Sequence, residues 1–249
     1  MDRRELKRRV ARRGGLLAHM VTFTNLACGF AAILLIMEQH YALAVSLVFL
    51  SGVLDFFDGA LARLSGHGSS FGKELDSLAD LVSFGIVPAL FSYSSQSGPP
   101  QAVIGIVSAS FALAGAWRLA LFNTMEAGRD FRGMPITVAG MLMGALAYMS
   151  REAGVWPWPV LAGLTLGLAL LMVCPVRFIK LSRVVTGLLR RRPDAIWWAL
   201  LPFAVLSVVT ILGPFPWVVV SLGIVYIISS LITDRRAARP APRAGEIRG

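Results

Sequence analysis

The sequence has few charged residues, few cysteines and few histidines for its length. Charged side chains make up 15% of its 249 residues, with two cysteines and three histidines, whereas hydrophobic residues make up 56%. Soluble domains carry about 25% charged residues, and two cysteines are too few for a disulfide scaffold. The mean hydropathy of +0.68 excludes a disordered chain, and a chain of this size could not bury so much apolar surface in water. The class of protein that remains is a polytopic membrane protein.

The apolar residues are grouped in runs of about the length that crosses a bilayer. A helix rises about 1.5 Å per residue, so about 20 residues span the hydrocarbon core. We therefore expect an all-α polytopic membrane protein with about eight transmembrane helices, at residues 17–37, 41–63, 75–96, 101–123, 134–150, 158–176, 195–212 and 215–233.

The basic side chains lie almost entirely on one side of these runs. With eight spans, every lysine and arginine except Arg151 falls on the side that carries both chain ends. Basic residues mark the cytoplasmic side, so both termini are expected there, in a multi-pass protein of the cytoplasmic membrane. The net charge of +10 does not indicate nucleic-acid binding, because no basic surface with interleaved aromatic residues accompanies it.

Four carboxylates stand inside otherwise apolar runs, where an unpaired charge costs a few kcal/mol or more. Asp55 and Asp58 share a helix face near the end of the second run, and Asp76 and Asp80 share one near the start of the third. The glycine- and serine-containing connection between them predicts an antiparallel hairpin. Residues equally far from its turn then meet at equal depth, so Asp55 opposes Asp80 and Asp58 opposes Asp76, near the cytoplasmic end.

Four clustered carboxylates repel one another unless cations lie between them. An all-oxygen ligand set suits Mg²⁺, Mn²⁺ or Ca²⁺, and no cysteine–histidine spacing of a zinc site is present. Two cations bridged by carboxylates are the usual device for phosphoryl-type displacement. Gly59 and Gly72 flank the acids, and their missing side chains allow a ligand to approach closely.

These residues form a longer pattern that is similar to the signature of the CDP-alcohol phosphatidyltransferase family. The pattern reads Asp55-x-x-Asp58-Gly59-x-x-Ala62-Arg63-x8-Gly72-x3-Asp76-x3-Asp80. The resemblance covers about residues 20–140, and stretches at 24–29, 75–89, 117–123 and 131–135 are most similar to members that use serine as the acceptor. Three positions depart from that pattern: Leu121 replaces an arginine, Met134 replaces a leucine, and Thr137 replaces a proline.

The resemblance implies a site and a reaction. It implies that the four aspartates hold two divalent cations, Mg²⁺ or Mn²⁺ with Ca²⁺ as a further option, and that Asp80 is also the general base. The implied reaction converts CDP-diacylglycerol and L-serine into phosphatidylserine and CMP. Expected partners are these two substrates and membrane lipids, with a homodimer left open. The residues expected to bind the CDP group are Asn25, Asp58, Gly59, Ala62, Arg63 and Gly72.

The acceptor is expected to meet Lys73, Arg118 and Asn123, which bind its carboxylate or the lipid diphosphate. Another acceptor in the same family, glycerol 3-phosphate or an inositol phosphate, would need more clustered basic residues than these. An ion-coupled transporter is the alternative of a different class. It would distribute its acids along a pathway in symmetry-related helices, whereas here they share one hairpin.

The expected organisation therefore has four parts. A basic cytoplasmic segment at 1–16 precedes a catalytic transmembrane core at 17–140. Further transmembrane helices follow at 141–233, and a disordered basic tail occupies 234–249.

Overall fold

A computed structural model describes residues 3–65, 70–96, 101–124, 133–152, 156–176, 178 and 216–237. Within these ranges the secondary structure is helical and no strand occurs, which confirms the predicted all-α class. The helices are α1 (Arg3–Met37), α2 (Tyr41–Ser65), α3 (Ser70–Asp80), a π-helical segment (Leu81–Ile86), α4 (Val87–Ser94), α5 (Gln101–Thr124), α6 (Ile136–Glu152), α7 (Trp158–Val173) and α8 (Pro216–Ala237).

Four of the described segments are long and apolar enough to cross a membrane. They are His19–Met37, Tyr41–Gly59, Ser70–Ser94 and Gln101–Thr124, and the shorter helices Trp158–Val173 and Trp217–Thr233 are also apolar. Large apolar side chains on their outer faces are exposed, among them Ile106 and Leu113, as lipid contact requires. The predicted span at 195–212 and the tail after 237 lie outside the described residues. The count of eight and the side of the termini therefore stay predictions.

The second and third predicted spans form the expected hairpin, but its turn is shorter than predicted. Helix α2 continues to Ser65 and α3 begins at Ser70, five residues before the predicted start. The first five residues of α3 include two exposed charged side chains, Lys73 and Glu74, which an apolar run does not include. Gly72 and Lys73 consequently lie within a helix and not in the connection.

A π-helical segment interrupts the third span directly after Asp80. Its last turn is closed by the Val87 N–H, which donates to the Val82 carbonyl five residues earlier. Such wide turns are rare and occur often at functional sites. Pro88, which follows, has no N–H to donate to the Phe84 carbonyl in the α-helical pattern.

Two glycines let neighbouring helices cross this π-helical segment closely. A Cβ on Gly29 of α1 would lie 2.5 Å from Ser83 Oγ, and a Cβ on Gly140 of α6 would lie 2.5 Å from the Phe84 carbonyl oxygen. Helices α1 and α6 therefore pack against the third span next to Asp80. This crossing places both helices beside the acids of the α2–α3 hairpin.

The start of α6 is tied to the end of α7. Gly133 adopts a φ of +97°, which a residue with a side chain rarely accepts. Its N–H donates to the Val176 carbonyl at 2.8 Å, and the Met134 N–H donates to the Leu171 carbonyl at 2.9 Å. The predicted division at residue 140 falls within α6, and the four-part organisation remains a prediction.

Candidate active site

The α2–α3 hairpin brings the acids together as the spacing predicted. Carboxylate oxygens of Asp55, Asp76 and Asp80 all lie within 4.8 Å of one another, and the side chain of Asp58 lies against that of Asp76. Asp58 and Asp80 are buried, with 5% and 8% of their surface exposed. We call these four residues the acid cluster.

Two threonines from other helices donate to the acid cluster. The Thr22 hydroxyl of α1 donates to Asp58 Oδ2 at 3.0 Å, and the Thr137 hydroxyl of α6 donates to Asp55 Oδ2 at 3.2 Å. Neither residue was predicted as part of the site. Thr22 had one usable signal, because it lies one helical turn before Asn25 and so shares its face of α1.

The acid cluster fits divalent cations. Among the described residues, Asp76 Oδ1 and Asp80 Oδ1 are buried and accept no hydrogen bond. A buried carboxylate oxygen without a partner is costly, and three carboxylates so close together repel one another. Hard oxygen donors in this arrangement suit Mg²⁺, Mn²⁺ or Ca²⁺, which would satisfy both oxygens and offset the repulsion.

Asn25 presents a second set of buried polar atoms next to the acid cluster. Its side chain is fully buried, and neither its Nδ2 nor its Oδ1 has a partner among the described residues. Its carbonyl oxygen accepts hydrogen bonds from Ser51 at 3.5 Å and Ser83 at 3.2 Å, which fix this part of α1. A buried amide of this kind can both donate to and accept from a ligand.

The structure describes only some of the other residues that are expected to bind CDP. Gly59 and Gly72 are half-buried on α2 and α3, on either side of the 66–69 connection. The side chains of Ala62 and Arg63 lie outside the described part of the chain. The structure thus brings the acid cluster and the two glycines to the end of the hairpin next to the 66–69 connection, whereas Asn25 contacts Ser51 and Ser83, on the other side of the acids.

The three residues expected at the acceptor separate into two groups. Arg118 of α5 lies near the acid cluster, where Asp80 and Asp55 attract its guanidinium, and Tyr226 of α8 is also close enough to interact with it electrostatically. Lys73 instead donates to the Phe122 and Asn123 carbonyls at 3.5 and 3.3 Å.

Asn123 joins Lys73 at the end of α5. Its Nδ2 donates to Glu74 Oε2 at 3.1 Å and to Ser77 Oγ at 3.0 Å. These bonds tie α3 to α5 at the outer rim of the site. Tyr226, like the two threonines, was not predicted, because a single tyrosine in an apolar run carries no spacing signal.

Comparison with known families decides the class of the protein. A family model described as CDP-alcohol phosphatidyltransferase matches residues 15–175. The chain belongs to this family. The match confirms the resemblance seen in the signature, and it makes this chain a member of an enzyme family and not an ion-coupled transporter. It ends before α8, so Tyr226 is contributed from outside the matched region.

Individual relatives are similar over the same part of the chain. A CDP-diacylglycerol–serine O-phosphatidyltransferase of Bacillus subtilis is 37% identical over 162 residues, covering 64% of this chain and 87% of the relative. One of Methanocaldococcus jannaschii is 38% identical over 123 residues, covering 49% and 56%. An archaetidylserine synthase of Methanothermobacter thermautotrophicus is 34% identical over 134 residues, covering 52% and 56%. The chain thus spans only about half the length of the two archaeal relatives.

Proposed function

We propose that this protein transfers the phosphatidyl group of CDP-diacylglycerol to the hydroxyl of L-serine, giving phosphatidylserine and CMP. The observation that carries the chemistry is the acid cluster. Three of its carboxylates have oxygens within 4.8 Å of one another, and two buried oxygens accept no hydrogen bond from the described residues. The choice of serine rests on the relatives, which include CDP-diacylglycerol–serine O-phosphatidyltransferases from bacteria and archaea.

The acid cluster would hold two divalent cations, Mg²⁺ or Mn²⁺, with Ca²⁺ as a further option. Asp55, Asp76 and Asp80 form one ligand group, and Asp58, in contact with Asp76, supplies a ligand for the second cation. When bound, the cations would neutralise the diphosphate and stabilise the charge that develops on CMP.

The protein's own groups bind and orient the nucleotide. Asn25 is positioned to hydrogen-bond the CDP group through its amide, and Gly59 and Gly72 leave room for that group beside the hairpin. By the family signature, Ala62 and Arg63 complete this side of the site. The acyl chains reach the site laterally from the lipid, because the acid cluster lies within apolar helices.

Asp80 is proposed as the general base. It takes the proton of the serine hydroxyl, whose oxygen bonds to the phosphatidyl phosphorus as the phosphorus–oxygen bond to CMP breaks. A serine hydroxyl is a weak nucleophile at neutral pH, so a positioned base is needed. Asp80 is buried and stands beside Arg118, which puts proton removal next to a group that can bind the carboxylate of serine.

Arg118 is proposed to bind that carboxylate, since a guanidinium can pair with it through two hydrogen bonds. Lys73 and Asn123 are proposed to assist acceptor or diphosphate binding from the rim of the site, where they hold α3 against α5. A phosphorylated acceptor would require a cluster of basic side chains. The described part of the site offers Arg118 beside the acids and Lys73 at the rim, which favours a small zwitterion.

We further propose that the chain has eight spans, with both termini and the active site on the cytoplasmic side of the cell membrane. The distribution of basic residues supports this orientation, since the acids lie towards the 66–69 connection. The basic segment 1–16, the core 17–140 and the helices of 141–233 keep their predicted roles. The tail predicted to be disordered from 234 begins later, because α8 continues to Ala237. A homodimer is a compatible assembly.

The purified protein in mixed micelles tests this function. CDP-diacylglycerol is supplied with L-serine, glycerol 3-phosphate or an inositol phosphate, and CMP release and the lipid product are measured. We expect CMP and phosphatidylserine with serine alone, loss of turnover on chelation, and recovery with Mg²⁺ or Mn²⁺. Transfer to a phosphorylated alcohol but not to serine would contradict the acceptor, and full turnover after exhaustive chelation would contradict the cations.

A further inference from the structure

Thr137 makes a hydrogen bond to the acid cluster across a long stretch of sequence. Its hydroxyl donates to Asp55 Oδ2 at 3.2 Å, although the residues are 82 positions apart. Thr137 is the second residue of α6, and Asp55 lies on α2. Position 137 is also one of the departures from the pattern of the serine-using members, which has a proline there and therefore no hydroxyl.

The main chain that carries this hydroxyl is held on both sides. Before it, the Gly133 and Met134 N–H groups are bonded to the end of α7. Next to it, Ile136 is buried, with 1% of its surface exposed, and its Cδ1 lies 2.7 Å from where a Cβ on Gly115 would stand. The hydroxyl thus acts from a fixed position, because a shift of α6 would disturb both the α7 contact and the Ile136 packing.

A fixed donor has a specific effect on a ligand carboxylate. Asp55, Asp76 and Asp80 have oxygens within 4.8 Å of one another, so their repulsion tends to turn each carboxylate away from the others. The bond from Thr137 sets the rotation of the Asp55 carboxylate and opposes that tendency. Hydrogen bonds that orient metal ligands commonly change metal affinity tenfold or more.

We propose that Thr137 is a positioning residue for Asp55, and that it sets the affinity of the acid cluster for its divalent cation. The proposal rests on the cation site of the proposed function. The effect on cation affinity is assigned to the hydroxyl of Thr137 and not to its methyl group. Variants that keep or remove each group can therefore separate this effect from a change in packing.

Manganese binding to the purified protein without substrates tests the proposal. The free Mn²⁺ signal in electron paramagnetic resonance gives the dissociation constant for the wild type and for Thr137→Val, Thr137→Ala and Thr137→Ser. We expect Thr137→Val and Thr137→Ala to bind Mn²⁺ about tenfold more weakly, equivalent to about 1.4 kcal/mol, and Thr137→Ser to bind nearly as the wild type does. In turnover assays, the Mn²⁺ concentration for half-maximal rate should rise by the same factor while kcat at saturating Mn²⁺ changes little.

Thr165→Val is the matched control. Thr165 is a fully buried threonine, whereas Thr137 is half-buried. The Thr165 hydroxyl bonds to the Leu161 carbonyl and to Ser92, so its loss should lower thermal stability without changing Mn²⁺ affinity. Unchanged Mn²⁺ affinity in both Thr137→Val and Thr137→Ala, or equal loss in Thr137→Ser, overturns the role of the hydroxyl. If Thr137→Val fails to fold, Thr137→Ala with Thr137→Ser decides the question. No Mn²⁺ binding by the wild type would instead overturn the cation site of the proposed function.

Discussion

Replacing Gly140 by alanine should push α6 away from the acid site. The added Cβ would lie 2.5 Å from the Phe84 carbonyl oxygen, 2.6 Å from Phe84 Cβ and 2.7 Å from Phe84 Cα. Two of these three atoms belong to the main chain of the π-helical segment, so no side-chain rotation can relieve the overlap.

The size of the displacement follows from ordinary contact distances. Non-bonded carbon atoms lie about 3.5 Å apart or more, so α6 must retreat by about 1 Å. Thr137 lies one turn earlier on the same helix, and its hydrogen bond to Asp55 is already 3.2 Å long, so the same movement breaks it. Overpacking of this kind costs about 1–3 kcal/mol, or a fall of roughly 5 °C in the unfolding midpoint of a chain of this size.

Gly144→Ala provides a matched control on the same helix. Its Cβ would meet Val45 Cγ2 at 3.7 Å and Val48 Cγ1 at 3.8 Å, which is ordinary contact. Alanine also favours the helix over glycine, so this variant should be as stable as the wild type or slightly more stable. Thermal unfolding in detergent and Mn²⁺ titration of both variants are the measurements. If Gly140→Ala matches Gly144→Ala in midpoint and in Mn²⁺ affinity, the close crossing of α6 over Phe84 does not hold the site together.

Single substitutions within the site should separate its parts. Asp80→Asn should lower kcat at least about a hundredfold while nearly keeping the KM for CDP-diacylglycerol. If it instead abolishes Mn²⁺ binding and lipid binding together, Asp80 is only a metal ligand and not the general base. Arg118→Lys should raise the KM for serine about tenfold, because lysine cannot pair with a carboxylate through a planar fork, and an unchanged KM for both substrates would argue for an interfacial role. Thr22→Val should lower kcat/KM for CDP-diacylglycerol about fivefold through the lost bond to Asp58, with Thr22→Ser as the rescue; equal activity of Thr22→Val and wild type would contradict this.

The hairpin could be predicted from the sequence because its geometry depends on few quantities. Helical rise is constant, and Asp55 and Asp80 stand at nearly equal distances from the connection. Their meeting therefore requires only that two adjacent helices run antiparallel. The cost of burying charge then excludes an arrangement in which the acids point into lipid.

The remaining parts of the site could not be predicted, because they depend on how distant helices cross. Thr137 reaches Asp55 only through the turn at Gly133 and the position of α6, and Tyr226 reaches Arg118 only through the packing of α8. A single hydroxyl has no spacing pattern that identifies its partner. The start of α3 at Ser70 was missed for a different reason, since the charged first turn of an amphipathic helix does not belong to an apolar run.

The π-helical segment gives the third span one place where its length can change by one residue. It holds one extra residue without adding a turn, so removing one residue from Leu81–Ile86 would restore a regular α-helix and leave the later residues facing nearly as they do now relative to Asp80. Removing one residue between Val87 and Leu90, in the regular helix α4, would instead rotate everything after it by about 100°. Phe91, now fully buried, and Ser92, now hydrogen-bonded to Thr165 at 3.1 Å, would then face other neighbours. Relatives that keep both the acids and this packing can therefore lack the extra residue of the π-helical segment, whereas a gap between Val87 and Leu90 would mark a change in how the end of the span packs.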